Sequence, residues 1–294
     1  GLILTSTILR KRLLPIKKER VAMDASRGER RTVKKRIVTG LIGGALFIGF
    51  TFIGGPLLKL FILLIALVAM AELLRMNDVR PFSLAGIAGF LLMTVIYVPN
   101  GLFVSPDSKQ SFFIFLVLFL LILTVTSKNM FTFDKAAFVI LSALYVGFGF
   151  HLFVATREMS DDGLALVFFF LFLIWTTDTA AYFVGKRFGK HKLWPDISPN
   201  KTVEGALGGI LSAVIIGSLL YVIMPVHFPS YLTALVSILI ISVFGQVGDL
   251  VQSAIKRHYG VKDSGTILPG HGGLLDRFDS LIFVMVVLRL FHYI

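Results

Sequence analysis

The sequence predicts an all-α, polytopic integral membrane bundle of about nine transmembrane helices with a cytoplasmic N-terminus. Three observations carry that expectation: 56% of the 294 residues are hydrophobic against 16% charged, mean hydropathy is +0.85, and apolar stretches of near-spanning length recur along the chain. A soluble core of this size does not need so much apolar length, and the composition falls in the membrane class.

The net charge of +12 comes from 29 Lys and Arg against 17 Asp and Glu. The bases cluster at the N-terminus and in a few loops, so anionic headgroups and topology are simpler partners for them than nucleic acid. With no cysteine, disulfides, thiolate metal sites and thiol nucleophiles are excluded.

Residues 1–36 form a basic N-terminal segment, within which residues 1–22 are too short and interrupted in their apolar part to cross a bilayer. Their charges follow the apolar start instead of preceding it, so this stretch is expected to be an interfacial helix or a leader and not a signal peptide. Spans are expected at 37–54, 56–74, 82–99, 111–126 and 134–155, which group residues 37–155 as helices one to five. Four more, at 163–185, 205–224, 230–256 and 273–294, make residues 156–294 a C-terminal group of helices six to nine. Each is near the ~20 residues needed to cross the hydrocarbon layer.

The connecting segments sort by charge. Segments 1–36, 75–81, 127–135, 186–204 and 256–272 hold most of the Lys and Arg, whereas 54–56, 100–110, 156–162 and 225–229 hold almost none. The positive-inside rule then puts the N-terminus in the cytoplasm and the C-terminus outside, as an odd number of spans also requires. No soluble domain, linker or low-complexity tract is evident. Small residues at helical spacing, Gly40/Gly43/Gly44 and Gly205/Gly208/Gly209, predict close helix packing.

Chemistry-capable side chains concentrate in residues 253–280, SAIKRHYGVKDSGTILPGHGGLLDRFDS. Ionisable residues within spans are costly and ordinarily face a cavity or a partner. Asp178 lies eight residues before Lys186, hence about 12 Å below the cytoplasmic exit, and Asp249 lies seven before Lys256, about 10 Å deep. Gln246 and Ser253 share the face of Asp249, and Asp276 and Asp279, three apart, point the same way. Four carboxylates from three helices can therefore meet on the cytoplasmic side.

Unpaired, they would repel one another, and a hard cation is the economical partner: oxygen ligands without Cys suit Mg²⁺ or Mn²⁺, with Asp249 and Asp276 foremost. The competing interpretation is that these acids pair with Lys186, Lys256, Arg257 or Arg277 and hold helices together. The glycines of GHGG, just before the ninth span, would leave backbone N–H groups free at the positive end of a helix dipole, which suits a phosphate. His271 between them would bind phosphate or close the turn. In the loop 186–204, Ser198, Asn200, Lys201, Thr202 and Glu204 suggest a nucleotide contact, against the ordinary role of such a loop in topology and headgroup binding. His151, His227 and His292 lie near the opposite helix ends.

Taken together, Ser253-x-x-Lys256-Arg257, then Lys262-Asp263, then Pro269-x-His271-Gly272-Gly273-x-x-Asp276-Arg277-x-Asp279 resembles the signature of the phosphatidate cytidylyltransferases, or CDP-diacylglycerol synthases. Two upstream stretches are similar to others typical of that family: Asp178-Thr179-x-Ala181-Tyr182 with Gly185, and Ser198-Pro199-Asn200-Lys201-Thr202-x-Glu204-Gly205. The resemblance implies conversion of CTP and phosphatidic acid to CDP-diacylglycerol and pyrophosphate in phospholipid biosynthesis. It also implies Mg²⁺ with a monovalent cation such as K⁺ assisting, and a membrane homodimer; with the loop charges, the expected location is the plasma (inner) membrane with the active site on the cytoplasmic side. On that basis Asp249, Asp276 and Asp279 would hold metal, and Lys256, Arg257, Lys262 and Arg277 would supply further positive charge beside Asp263 and His271. Ser253, Gly272, Gly273, Asp178, Tyr182 and the 198–204 loop would contact substrate. Two other functions share parts of the pattern: a CTP-dependent polyprenol kinase, which would move the γ-phosphate to lipid, and a cation-coupled transporter using the same acids. The transporter leaves the basic, Gly-rich loop unexplained, and no internal repeat is evident.

Overall fold

The structure, a computed structural model, describes residues 38–99, 105–159, 162–267 and 272–293. The expectations for residues 1–36 and for His271 lie outside these. Among the described residues nine α-helices follow one another: α1 (Val38–Ile53), α2 (Gly55–Met76), α3 (Leu84–Tyr97), α4 (Pro106–Thr126), α5 (Phe133–Arg157), α6 (Gly163–Phe188), α7 (Val203–Ile223), α8 (Tyr231–His258) and α9 (Asp279–Leu290). Six of them, α2 and α4 to α8, are long and apolar enough to cross a membrane. The chain is thus a mainly helical, polytopic membrane protein.

Each apolar stretch expected from the sequence contains a helix, but three helices are short. α3 has 14 residues and α9 has 12, below the length that reaches across a bilayer, and the described part of α1 is also below it. Helix starts follow local chemistry: Ser83, Ser105, Thr132, Thr202 and Ser230 each accept the N–H three residues on, at the heads of α3, α4, α5, α7 and α8. The Ser105 cap, with Pro106 in the first helical turn, explains why α4 begins ahead of the expected 111.

Two features differ from a plain bundle. Between α6 and α7 the chain makes an antiparallel hairpin, β1 (Lys192–Trp194) with β2 (Ser198–Thr202), where a loop was expected. Before α9, Leu275–Arg277 form a 3₁₀ turn, so the ninth helix starts at Asp279 and not at Gly273.

The packing pairs α6 with α7, α8 with α9, and α3 with α5 most extensively. Phe150 and Phe153 of α5 and Phe169 and Phe170 of α6 are among the largest side chains fully buried in the resulting core. Close approach explains the second glycine group: a Cβ on Gly208 would stand 2.6 Å from Val184 Cγ1, and one on Gly205 would stand 2.7 Å from the Ala181 carbonyl. The first group does not behave that way, since Cβ atoms on Gly43 and Gly44 would meet nothing within 4 Å. Among the described residues that face of α1 is open, and none of their helices demands small size there.

The two classes of loop gather at opposite ends. At one end Arg157 donates to the carbonyls of Thr51 and Phe52, Lys59 pairs with Glu158 at 2.7 Å, and the His227 ring lies 2.6 Å from Asp162. At the other, Arg257 reaches the Ile197 carbonyl of the hairpin at 3.4 Å, and the rings of Phe138 and Tyr259 meet at 5.0 Å. Among the described residues the base-poor segments therefore share one end and the base-rich ones the other.

Candidate functional site

A cavity of about 790 Å³ opens at the base-rich end. α6 gives it Asp178, Ala181, Tyr182, Gly185 and Lys186; the hairpin and the head of α7 give Lys192, Asn200, Lys201, Thr202 and Gly205. α8 contributes Gln246, Asp249 and Lys256, and the C-terminal segment contributes Asp263, Asp276, Arg277, Asp279 and Ser280. All four carboxylates expected to meet thus face one space, and the two polar loops far apart in sequence form its opposite walls.

Each wall is fixed by its own local structure. Thr202 ends β2 and caps α7 through the Gly205 N–H at 3.1 Å, so the residue that starts the helix also lines the cavity. Glu204, in the first turn of α7, does not line it. Its carboxylate accepts the N–H groups of Lys190 and His191 and meets His191 Nδ1 at 2.6 Å, bracing the hairpin base. Ser198 likewise belongs to the hairpin and not to the wall.

The charges are paired in two places. Lys201 Nζ lies 2.6 Å from Asp249 Oδ2, bridging the hairpin to α8, with side chains one-quarter to one-third exposed. Lys256 Nζ lies 2.7 Å from Asp276 Oδ1, and this pair is buried, at 11% and 7% side-chain exposure. The pairing anticipated as helix glue therefore exists for Asp276 with Lys256, while Asp249 takes a partner from the hairpin. Ser253 donates to Asp249 Oδ1 only at 3.4 Å. Asp178, Asp249 and Asp279 stand close enough to repel one another.

The Gly-rich turn departs from expectation. Among the described residues three of the amides here are already engaged: Gly273 N–H donates to Asp276 Oδ2 at 3.1 Å, and the Leu274 and Leu275 N–H groups donate to Glu72 at 2.8 and 2.9 Å. The 3₁₀ turn folds Asp276 back onto the Gly273 amide, and Glu72 reaches in from α2 to take the next two. Gly272, at φ 81°, makes the bend. Gly272, Gly273, Arg257 and Lys262 do not line the cavity. Arg257 instead ties the hairpin to the segment after α8, through the carbonyls of Ile197 and Val261.

Sequence reasoning missed Lys192 on the cavity wall and Glu72 behind it. Lys192 carries no signal separating it from the other loop bases. Glu72 had one: a lone acid at 1% exposure within the apolar stretch 56–74.

A divalent cation suits the donor set in part. Among the described residues no three acidic or histidine side chains form a ready-made cage. Mg²⁺ asks for less, commonly one or two carboxylates with waters and substrate phosphates completing an octahedron. Asp249, with Asp178 and Asp279 facing the same space, can offer that. Both oxygens of Asp276 are engaged, Oδ1 by Lys256 and Oδ2 by the Ser264 and Gly273 amides.

Comparison with known proteins agrees with the motif. A family described as the cytidylyltransferase family matches residues 34–294. A phosphatidate cytidylyltransferase of Bacillus subtilis (strain 168) is 47% identical over 256 residues, covering 86% of this chain and 95% of its own. Proteins of the same name from Staphylococcus haemolyticus (strain JCSC1435) and Staphylococcus aureus (strain COL) are 46% and 44% identical over 260 and 262 residues, each covering 88% of this chain and 98% of their own.

Proposed function

The chain belongs to the cytidylyltransferase family, and from that premise we propose that it is a phosphatidate cytidylyltransferase, joining CTP and phosphatidic acid to give CDP-diacylglycerol and pyrophosphate. The observation that carries this is the single 790 Å³ cavity in which carboxylates, lysines and an arginine from both polar loops converge at one end of an apolar bundle. Such a place suits a lipid whose acyl chains stay in the bilayer while its phosphate meets a nucleotide arriving from water.

The chemistry asks mainly for positioning and charge control. A phosphomonoester is already ionised near neutral pH, so its oxygen needs no strong general base to attack the α-phosphate. The protein has to bring two polyanions into line and neutralise the charge that builds on the α-phosphate and the departing pyrophosphate. Lys186, Lys192, Lys256 and Arg277 line the cavity and can do the second task. Lys201 can exchange Asp249 for a phosphate oxygen without moving far, because both face the same space. Tyr182, 61% exposed and within 5.8 Å of the Lys186 ammonium, presents a ring at the mouth.

Mg²⁺, or Mn²⁺ in its place, is the proposed cofactor, and when bound it would clamp phosphate oxygens as a Lewis acid. Asp249 and Asp279 are the best placed to hold it, with Asp178 beside them. Asp276 would join only by giving up a hydrogen bond to Lys256, Ser264 or Gly273. A monovalent cation such as K⁺ is a secondary proposal resting on the family resemblance alone. So is a homodimer, testable by crosslinking in native membranes, whereas a cytoplasmic orientation of the cavity and nine crossings of the plasma membrane are proposed from the loop charges and the nine apolar stretches.

CTP labelled separately at the α- and γ-phosphates tests the reaction. Mg²⁺-dependent passage of α-label into phosphatidate-derived lipid, with γ-label released as pyrophosphate, is the expected outcome. Transfer of γ-label to lipid would instead identify a lipid kinase.

A further inference from the structure

We propose that Glu72, on α2 and outside the cavity wall, is a positioning residue that sets the geometry of the C-terminal half of the active site. It is 1% exposed, one turn from the end of α2. Its carboxylate accepts three hydrogen bonds from a region about 200 residues away: Leu274 N–H to Oε1 at 2.8 Å, Leu275 N–H to Oε2 at 2.9 Å and Ser264 Oγ–H to Oε2 at 2.8 Å. Hydrogen bonds to an ionised acceptor are shorter and stronger than neutral ones, and a buried carboxylate left without them would be costly.

Those donors sit on both flanks of the loop that follows α8. Ser264 turns its N–H to Asp276 and its hydroxyl to Glu72, while Gly273 donates to Asp276 and the next two amides donate to Glu72. Two carboxylates, one from each side, thus clip the flanks together, and Asp276 in turn holds Lys256. The fit leaves no room for side chains: a Cβ on Gly265 would come within 2.6 Å of Glu72 Oε1, and one on Gly273 within 2.6 Å of Oε2. The glycines of the signature segment are therefore shaped around Glu72 as much as around any substrate. Loss of the clip would let Asp263, Asp276 and Arg277 drift from the opposing hairpin wall, and small misplacements of aligned groups are expensive in rate.

The inference rests on the proposed reaction for its kinetic readout but not for its structural one. In full-length protein in detergent, Glu72→Gln keeps the shape but turns an amide N–H₂ towards donor groups. Hydrogen exchange at residues 272–276 should accelerate without substrate present, and kcat should fall by about tenfold or more at unchanged amounts of folded protein. The contact itself is tested by Glu72→Asp, Gly265→Ala and their combination. The shorter acid makes room for the added methyl, so the double variant should retain more activity than the product of the two single effects. If the glutamine variant does not fold, this cycle decides alone. Wild-type exchange and kcat in Glu72→Gln, or strictly multiplicative losses in the cycle, would overturn the proposal. Loss of loop protection in Glu72→Gln, with no release of pyrophosphate from CTP by the unmodified protein, would instead overturn the reaction and leave the positioning role intact.

Discussion

Asp249 and Asp276 look alike in the sequence, two acids at the ends of apolar runs, yet their surroundings assign them different work. Asp249 is about one-third exposed and held by one lysine from a neighbouring hairpin, an arrangement that contributes little to stability, about 0–1 kcal/mol. Asp276 is nearly buried and bonded to an ammonium and two amides, and breaking such a pair costs roughly 3 kcal/mol. Asp249→Asn is therefore expected to lower kcat at least ~100-fold with Tm unchanged. Asp276→Asn should lower both, because its N–H₂ must face either Lys256 or the Ser264 and Gly273 amides. Thermal unfolding in detergent beside the labelled-CTP assay checks the split; equal Tm values for both variants would refute it. The residue types of the site were legible because intramembrane acids are rare and stand out. The division of labour among them was not, because it depends on Glu72 and Ser264 taking the remaining donors and acceptors across 192 residues of chain.

Helix positions were readable from apolar length alone, since nine stretches and nine helices coincide among the described residues. The hairpin was not, because its strands KLW and SPNKT are short and mostly exposed and lack the alternation of a half-buried strand. Nor was the 3₁₀ turn, which arises from contacts with α2 and not from propensity. The hairpin packs against both α6 and α7, with Gly205 at the point where a methyl would press on Ala181, Thr202 and Gly185. Overpacking of that kind costs about 1–3 kcal/mol and is relieved by backbone shifts. Gly205→Ala should widen the gap between the Asp178 wall and the Lys201 wall, raising KM for CTP several-fold. Gly43→Ala, where nothing lies within 4 Å, should leave both KM and kcat at the wild-type level. Equal kinetics in the two variants would mean that the α6–α7 spacing does not govern nucleotide binding.

The whole molecule separates its charge along one axis: base-rich connections and the cavity at one end, base-poor connections at the other. Under the positive-inside rule that asymmetry predicts the proposed orientation, which would put the hairpin and cavity on the cytoplasmic side, where CTP is available. The absence of cysteine makes this directly testable, because a single introduced thiol is then the sole target of a maleimide. Asp196 is exposed in the hairpin at the base-rich end, and Pro229 is exposed between α7 and α8 at the opposite end. In sealed vesicles of known sidedness, a membrane-impermeant maleimide should modify Asp196→Cys only from the cytoplasmic face and Pro229→Cys only from the other. The reverse pattern would place the cavity outside and separate it from its nucleotide. Labelling of both from one face would mean that an odd number of crossings does not lie between them. Because α7 is the single long apolar helix joining the two positions, that result would also remove α7 from the set of spans. Opposite-face labelling would make α7 a crossing and fix the cavity on the side from which both the nucleotide and the cytoplasmic leaflet of the lipid are reached.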